Sequence, residues 1–97
     1  MLQEVGDVGM KIIKIGAVWC PGCLVMNKIW NKINKDNSLD IISLDYDMDN
    51  EEVSKYNVGK ILPVIIFVDN NNCEIDRLIG EQKEDKIFEL IDKYRGM

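Results

Sequence analysis

The chain has 97 residues, of which 12 are basic and 17 acidic, so its formal net charge is −5. The length suits one domain, and the acidic balance argues against nucleic acid as a partner. The lack of histidine removes the commonest general base and metal ligand, and three cysteines are too few for a disulfide framework. With 46% hydrophobic and 30% charged residues, the composition is that of an ordinary globular chain.

The start of the chain lacks the unbroken apolar run that a secretory leader needs. The interrupting charged residues are Glu4, Asp7, Lys11 and Lys14. We therefore expect a cytoplasmic protein that does not associate with membranes. Residues 1–97 are expected to form one domain, in which residues 1–10 are either a short extra strand or a disordered segment.

The first strand and the first helix are indicated by a change in hydrophobic period. Residues 11–19 form an apolar, β-branched run that predicts a strand ending at Cys20 and Pro21. Beyond Gly22, apolar side chains recur at steps of three and four residues, at Met26, Ile29, Trp30 and Ile33. This spacing predicts one amphipathic helix with Pro21 in its first position, where a missing N–H is harmless.

The middle of the chain alternates between apolar and polar residues. Ile42, Leu44, Tyr46 and Met48 lie on one side of this alternation, which predicts a second strand with one wet face. Asp49 and Glu52 have the spacing of a helix-capping pair and predict a short helix over residues 50–56. Three aspartates, Asp45, Asp47 and Asp49, imitate the opening of a calcium loop. The later positions of such a loop lack the required Gly and Glu. The three aspartates are therefore interpreted as the solvated face of the strand.

The last third predicts a β-hairpin and a helix. Two strands, over residues 64–68 and 74–79, flank a turn at residues 69–72, and the hairpin ends at Gly80. A helical stripe follows, made of Ile87, Phe88, Leu90, Ile91 and Tyr94 and running up to Gly96. A crossover helix joins parallel strands and a hairpin joins antiparallel ones, so the order β-α-β-α-β-β-α predicts an α/β fold with a mixed four-stranded sheet flanked by helices.

One motif carries chemistry: Cys20-Pro21-Gly22-Cys23, at the turn from the first strand into the first helix. Unpaired N–H groups at a helix start stabilise an anion, so Cys20 is the predicted nucleophilic thiolate. Cys23, one turn inside the helix, is placed to close a disulfide with it. Cys20 would attack a substrate disulfide and Cys23 would resolve the mixed disulfide, with no histidine, metal or bound cofactor. Structural zinc lacks ligands, because Cys73 is the only further cysteine and is expected to be exposed and incidental.

These features resemble the thioredoxin family over residues Lys11 to Tyr94. The matching features are Trp19 directly before Cys20, the Cys-Pro-Gly-Cys motif, residues 55–63 (KYNVGKILP), the strand over residues 64–68, the hairpin turn, and Gly80 before the last helix. The resemblance implies a near-minimal thioredoxin-like fold with a cis Leu62–Pro63 bond facing the sulfurs. It also implies a substrate-binding surface made of Trp19, Pro21, Gly22, Ile61, Leu62, Pro63 and Gly80.

The resemblance further implies a function: reduction of disulfides in protein substrates, with electrons from an NADPH-dependent flavoprotein of the thioredoxin-reductase type. We expect the protein to act as a monomer. Two departures leave alternatives open. Pro21 directly after Cys20 is also a feature of glutaredoxins, which suggests glutathione as the reductant. Lys14 occupies the position of a buried acid in the family, and a lysine there needs strong desolvation to handle protons. The second alternative is a redox-silent module that binds a partner protein.

Overall fold

Four strands form one mixed sheet in the spatial order β2-β1-β3-β4. In the computed structural model, which describes residues 10–35 and 39–95, the strands are β1 (Lys11–Gly16), β2 (Asp40–Asp45), β3 (Val64–Val68) and β4 (Glu74–Ile79). The helices are α1 (Pro21–Val25), α2 (Asn27–Ile33), α3 (Asn50–Val53), which continues as a 3-10 turn (Ser54–Tyr56), and α4 (Glu84–Arg95).

The pairing of the strands confirms the predicted sheet. β1 is parallel to β2 and antiparallel to β3, and β3 is antiparallel to β4. The parallel pair needs a crossover connection, which α1 and α2 supply. The expectation for residues 1–10 falls outside the described residues, except that Met10 packs partly against the core. The predicted helix end at Gly96 also lies outside them.

Two predictions around the motif were wrong: the end of the first strand and the continuity of the first helix. β1 ends at Gly16 rather than Trp19, because the chain turns there and the Cys20 N–H donates to the Ala17 carbonyl at 3.1 Å. The predicted single helix is two helices that meet at Met26, where ψ is −3°. The Met26 side chain is fully buried at this junction, so the amphipathic stripe is retained although the helix is interrupted.

The prediction for the second strand was wrong at its carboxyl end. β2 stops at Asp45, because the Asp45 carboxylate accepts the N–H groups of Asp47 and Met48, each at 2.9 Å. The Asp49 carboxylate in turn accepts the Asp45 N–H at 2.8 Å. These bonds fold residues 45–49 into a turn and leave Met48 exposed. Asp47 and Asp49 therefore lie in this turn rather than on a strand face.

Helices cover both faces of the sheet. On one face, α2 and α4 pack against the inner strands through Met26, Trp30, Phe67, Ile87 and Ile91. On the other face, α3 packs against a second cluster that contains Ile13, Ile15, Val53, Val64 and Ile66. The expected core positions of Met26, Trp30 and the α4 stripe are confirmed, except that Phe88 of the stripe is only partly buried. No helix in the described part of the chain has both the length and the apolar character that a bilayer crossing needs.

Candidate active site

Cys20 lies at the N-cap of α1, as predicted. Its backbone is extended, and its sulfur accepts the Cys23 backbone N–H at an N···S distance of 3.2 Å. This bond satisfies one of the N–H donors that a helix start leaves unpaired. It also points the partial positive charge of that N–H at the sulfur. Cys20 is only 3% exposed, whereas Cys23 is partly exposed.

Cys23 retains its proton more strongly than a free cysteine does. Burial, followed by the side-chain hydrogen bond to Cys20, raises the pKa of the Cys23 thiol to about 11. At neutral pH this thiol is therefore protonated and donates toward the Cys20 sulfur. The two sulfurs thus differ in role within the reduced pair, because Cys20 accepts bonds from both the N–H and the S–H of Cys23.

The end of β1 leaves room for the Cys23 sulfur. A Cβ atom on Gly16 would lie 3.0 Å from Cys23 Sγ, a contact tighter than side chains normally make. The Cys23 side chain consequently packs directly on the backbone of the strand that precedes the motif. A glycine at this position gives the sulfur the space that any larger residue would occupy.

The loop before β3 faces the dithiol from the other side. The Leu62–Pro63 peptide bond is cis, as the resemblance implied. Pro63 Cδ is 3.3 Å from the point where a Gly22 Cβ would lie, and the Pro63 carbonyl accepts the Gly80 N–H at 2.8 Å. Gly80 has a φ of +91°, which favours glycine, and it lies against Ile61. The fold therefore brings together Gly22, Ile61, Pro63 and Gly80, which are far apart in the sequence.

Exposed apolar side chains occur in the segments that flank the motif and this loop. Trp19 is 56% exposed and Ile61 is 62% exposed, so both are available at the surface. Pro21 is also exposed, whereas Leu62 packs partly into the second cluster. Other apolar residues near the motif are exposed as well, and Val18 and Ile79 among them were not expected. The sequence analysis assigned Val18 to the first strand, which was predicted too long, and Ile79 to a strand of the hairpin, so neither was predicted to be exposed.

A hydrogen bond between distant residues orients Trp19. Its indole Nε1–H donates to the Asp47 carboxylate at 2.7 Å, and its ring meets Tyr46 edge-on at a centroid distance of 6.1 Å. The Tyr46 N–H bonds the Gly16 carbonyl, which ties the turn at residues 45–49 to the end of β1. Neither Asp47 nor Tyr46 was expected at the site, since they belong to the turn that replaces the predicted strand end.

A cavity of about 370 Å³ lies beside the second sulfur. It is lined by residues of β1, α1, α2 and the turn after β2, among them Lys14, Cys23, Asn27, Trp30, Asp45 and Asp49. The Lys14 Nζ lies 4.9 Å from the centre of the Trp30 ring. Burial lowers the pKa of Lys14 from its usual 10.5, and negative charge on Cys23 raises it in part.

The third cysteine lies apart from this arrangement. Cys73 is exposed, as predicted, in the turn between β3 and β4. That turn is at the opposite end of the sheet, because β3 runs antiparallel to β1 and its last residue pairs with Lys11. Among the described residues, no group of three or more histidine, cysteine or acidic side chains is positioned to hold a metal ion.

Comparison with known proteins agrees with this geometry. The family model described as thioredoxin matches residues 3–93. A thioredoxin from Staphylococcus epidermidis is 28% identical over 90 residues, which cover 91% of this chain and 85% of that protein. Among solved structures, a thioredoxin variant from Halobacterium salinarum NRC-1 superposes with a TM-score of 0.82 at 20% identity, covering 95% of this chain and 80% of that one.

A second solved structure adds a partner to the comparison. It is described as a complex of ferredoxin:thioredoxin reductase with thioredoxin f2, and it matches with a TM-score of 0.75 at 18% identity, covering 93% of this chain and 81% of that chain. Fold and site together define a protein-disulfide oxidoreductase with a Cys-x-x-Cys motif. The chain belongs to the thioredoxin family.

Proposed function

We propose that this protein reduces disulfide bonds in other proteins with Cys20 as the nucleophile and Cys23 as the resolving thiol. The observation that carries the proposal is the 3.2 Å hydrogen bond from the Cys23 N–H to the Cys20 sulfur. A thiolate is the reactive form in disulfide exchange, and hydrogen bonds to a sulfur favour that form. The protonated Cys23 thiol adds a second donor to the same sulfur.

The reaction proceeds in two exchanges. The Cys20 thiolate attacks one sulfur of the substrate disulfide, forms a mixed disulfide and releases the other substrate sulfur as a thiolate, which takes a proton from solvent. Cys23 then loses its proton and attacks the Cys20 sulfur. The Cys20–Cys23 bond forms, the bond to the substrate breaks, and the second substrate sulfur leaves. Two electrons pass from the dithiol to the substrate.

The substrate would bind across the ring of residues around the sulfurs. The proposed binding residues are those expected from the resemblance: Trp19, Pro21, Gly22, Ile61, Leu62, Pro63 and Gly80. Exposed apolar side chains, with Trp19 and Ile61 foremost, are typical of recognition surfaces, and the ring of Pro63 lies beside the motif. Val18 and Ile79 are added to this surface because of their exposure.

Regeneration of the dithiol requires a reductant. We propose a flavoprotein reductase of the thioredoxin-reductase type that uses NADPH, and the solved complex of a similar fold with a reductase supports a protein partner. The proposal places the protein in the cytoplasm as a monomer, where thiols are kept reduced. Pro21 directly after Cys20 favours a second candidate, reduction by glutathione. Incubation of the oxidised protein with each reductant, followed by thiol counting, separates the two.

Reduction of insulin disulfides in dithiothreitol tests the catalytic role. The wild-type protein should accelerate insulin precipitation, and Cys20→Ser should reduce the rate to that of dithiothreitol alone. Cys73→Ser is the matched control, because it removes one exposed thiol outside the site and should retain the full rate. Equal rates for the wild type and Cys20→Ser would refute a catalytic role for Cys20 and leave the protein as a redox-silent binding module.

A further inference from the structure

Lys14 occupies an unusual place for a lysine, in the middle of an inner strand. It pairs with Ser43 of β2 on one side and with Ile65 of β3 on the other. Side chains alternate along a strand, so Lys14 projects from the same face of the sheet as Gly16, two residues further on. That is the face on which the Cys23 sulfur packs against Gly16. Two residues along a strand span about 7 Å, which places Lys14 beside the second sulfur.

The surroundings of Lys14 confine its side chain to the cavity next to Cys23. Lys14, Cys23 and Trp30 line the same cavity, and the Lys14 Nζ is held over the Trp30 ring at 4.9 Å from its centre. An indole face attracts a cation, so this contact favours the ammonium form of a half-buried lysine. Negative charge on Cys23 acts on Lys14 in the same direction.

The other charged groups of this cavity are engaged elsewhere. Asp45 and Asp49 also line it, but the carboxylates of both accept backbone N–H groups of the turn at residues 45–49. Within the described parts of the chain, no ion pair involves Lys14. The ammonium therefore faces Cys23 without a dedicated carboxylate partner.

We propose that Lys14 is a positioning residue for the second exchange: its ammonium favours the thiolate form of Cys23 once Cys20 is held in the mixed disulfide. This role rests on the proposed function. In the mixed disulfide, Cys20 carries no negative charge and its sulfur is a weaker acceptor. Two of the interactions that keep the proton on Cys23 are then reduced, and burial remains. A neighbouring cation opposes the effect of burial.

The proton and electron pairs balance without a further reactant. Cys23 releases its proton to water, for which the cavity of about 370 Å³ has room. The resulting thiolate attacks Cys20 Sγ, the Cys20–Cys23 bond forms, and the substrate sulfur departs with the electron pair and takes a proton from solvent. Lys14 retains its proton throughout, so its contribution is electrostatic.

The test is a stopped-flow reaction with one equivalent of 5,5′-dithiobis(2-nitrobenzoate), carried out on Cys73→Ser protein to remove the exposed thiol. The first release of thionitrobenzoate reports the attack by Cys20, and the second reports resolution by Cys23. Lys14→Met should slow the second release about tenfold at pH 7, since a neighbouring opposite charge lowers a pKa by about one unit or more and one unit is a tenfold change in the thiolate fraction. Lys14→Arg retains the cation and should stay within about threefold of the parent. The pH at which the second release is half-maximal should rise by about one unit in Lys14→Met.

A second neutral variant, Lys14→Gln, keeps the test valid if the methionine variant folds poorly. Slow second release in both neutral variants together with a retained rate in Lys14→Arg supports the proposal. Unchanged second release in the neutral variants, or an arginine variant as slow as they are, overturns it. If the Cys73→Ser parent shows no second release, the proposed function itself fails, independently of Lys14.

Discussion

The two aspartate-anchored turns of this protein use the same local chemistry at opposite ends of the sheet. In the turn at residues 45–49, one oxygen of Asp45 accepts two backbone N–H groups. In the turn at residues 69–73, one oxygen of Asp69 does the same with the N–H groups of Asn71 and Cys73. The first turn lies beside the dithiol and holds Trp19. The second carries an exposed cysteine whose thiol makes only a long contact of 3.9 Å with the Asn71 carbonyl.

This difference shows that its place in the fold, rather than its local geometry, decides whether such a turn belongs to an active site or only joins two strands. Cys20 and Cys23 share a hydrogen bond, a strand end and a facing loop. Cys73 has an ordered turn around it but no second thiol, no helix start and no facing loop among the described residues.

The greatest contrast is expected on removal of the resolving thiol. Cys23→Ser should form the mixed disulfide with a substrate and then stop, so that turnover falls by at least about a hundredfold. Non-reducing electrophoresis and mass spectrometry should detect a stable adduct on Cys20. Cys73→Ser is the control and should accumulate no adduct. An adduct that fails to accumulate in Cys23→Ser would contradict the assigned order of the two cysteines.

The next prediction concerns the reactivity of Cys20 and Cys73, which differ in exposure and in their place in the fold. Cys20 is 3% exposed and Cys73 is exposed, so accessibility alone predicts that iodoacetamide labels Cys73 first. Because the Cys20 sulfur lies at a helix start and accepts a backbone N–H, we nevertheless expect iodoacetamide to label Cys20 ahead of Cys73. Peptide mapping after brief labelling measures both rates in one sample. Preferential labelling of Cys73 would remove the basis for Cys20 as the nucleophile.

Crowding of the resolving sulfur should have a moderate effect. Gly16→Ala places a Cβ at 3.0 Å from Cys23 Sγ, and overpacking of this kind costs about 1–3 kcal/mol. Urea unfolding of the reduced protein should show this loss, together with slower closure of the disulfide. Gly59→Ala is the matched control, because a Cβ there meets nothing within 4 Å. Equal losses in the two variants would show that Gly16 is not needed for space.

The smallest effect is expected from the bond that orients Trp19. Asp47→Ala removes the acceptor of the indole N–H, and an exposed hydrogen bond contributes about 0.5–1.5 kcal/mol. Since about 1.36 kcal/mol corresponds to a tenfold change, we expect KM for a protein disulfide to rise about two- to twelvefold, with kcat nearly unchanged. Asp47→Asn keeps an oxygen acceptor and should lie close to the wild type. A loss of kcat instead would place Asp47 in the chemistry rather than in recognition.

The hydrophobic pattern predicted the third strand and the last helix correctly because burial decides where they lie. β3 is buried over all five of its residues, and the α4 stripe faces the core. The second strand was predicted too long because its apolar alternation continues through Tyr46 and Met48. Backbone hydrogen bonds to Asp45 and Asp49 end it, and side-chain capture of this kind leaves no trace in a hydrophobic pattern.

The site divides in a similar way between local and distant contributions. The N-cap position of Cys20 follows from four consecutive residues, and the structure reproduces it. The approach of Pro63 to Gly22 spans some forty residues and was expected only through the family resemblance. The bond from Trp19 to Asp47 joins residues 28 positions apart and depends on a turn that the pattern obscured. Spacing reveals chemistry within one helical turn, and long-range contacts need the fold.

The reacting parts are attached to the inner strands, since the dithiol follows β1 and the Pro63 loop precedes β3. Amide hydrogens of such doubly paired strands exchange with deuterium only through the largest opening events, whereas edge strands open at lower free energy. The turn that anchors Trp19 follows β2, which is an edge strand of the sheet. Under mild denaturant, partner recognition should therefore weaken while the sulfurs are still aligned for exchange.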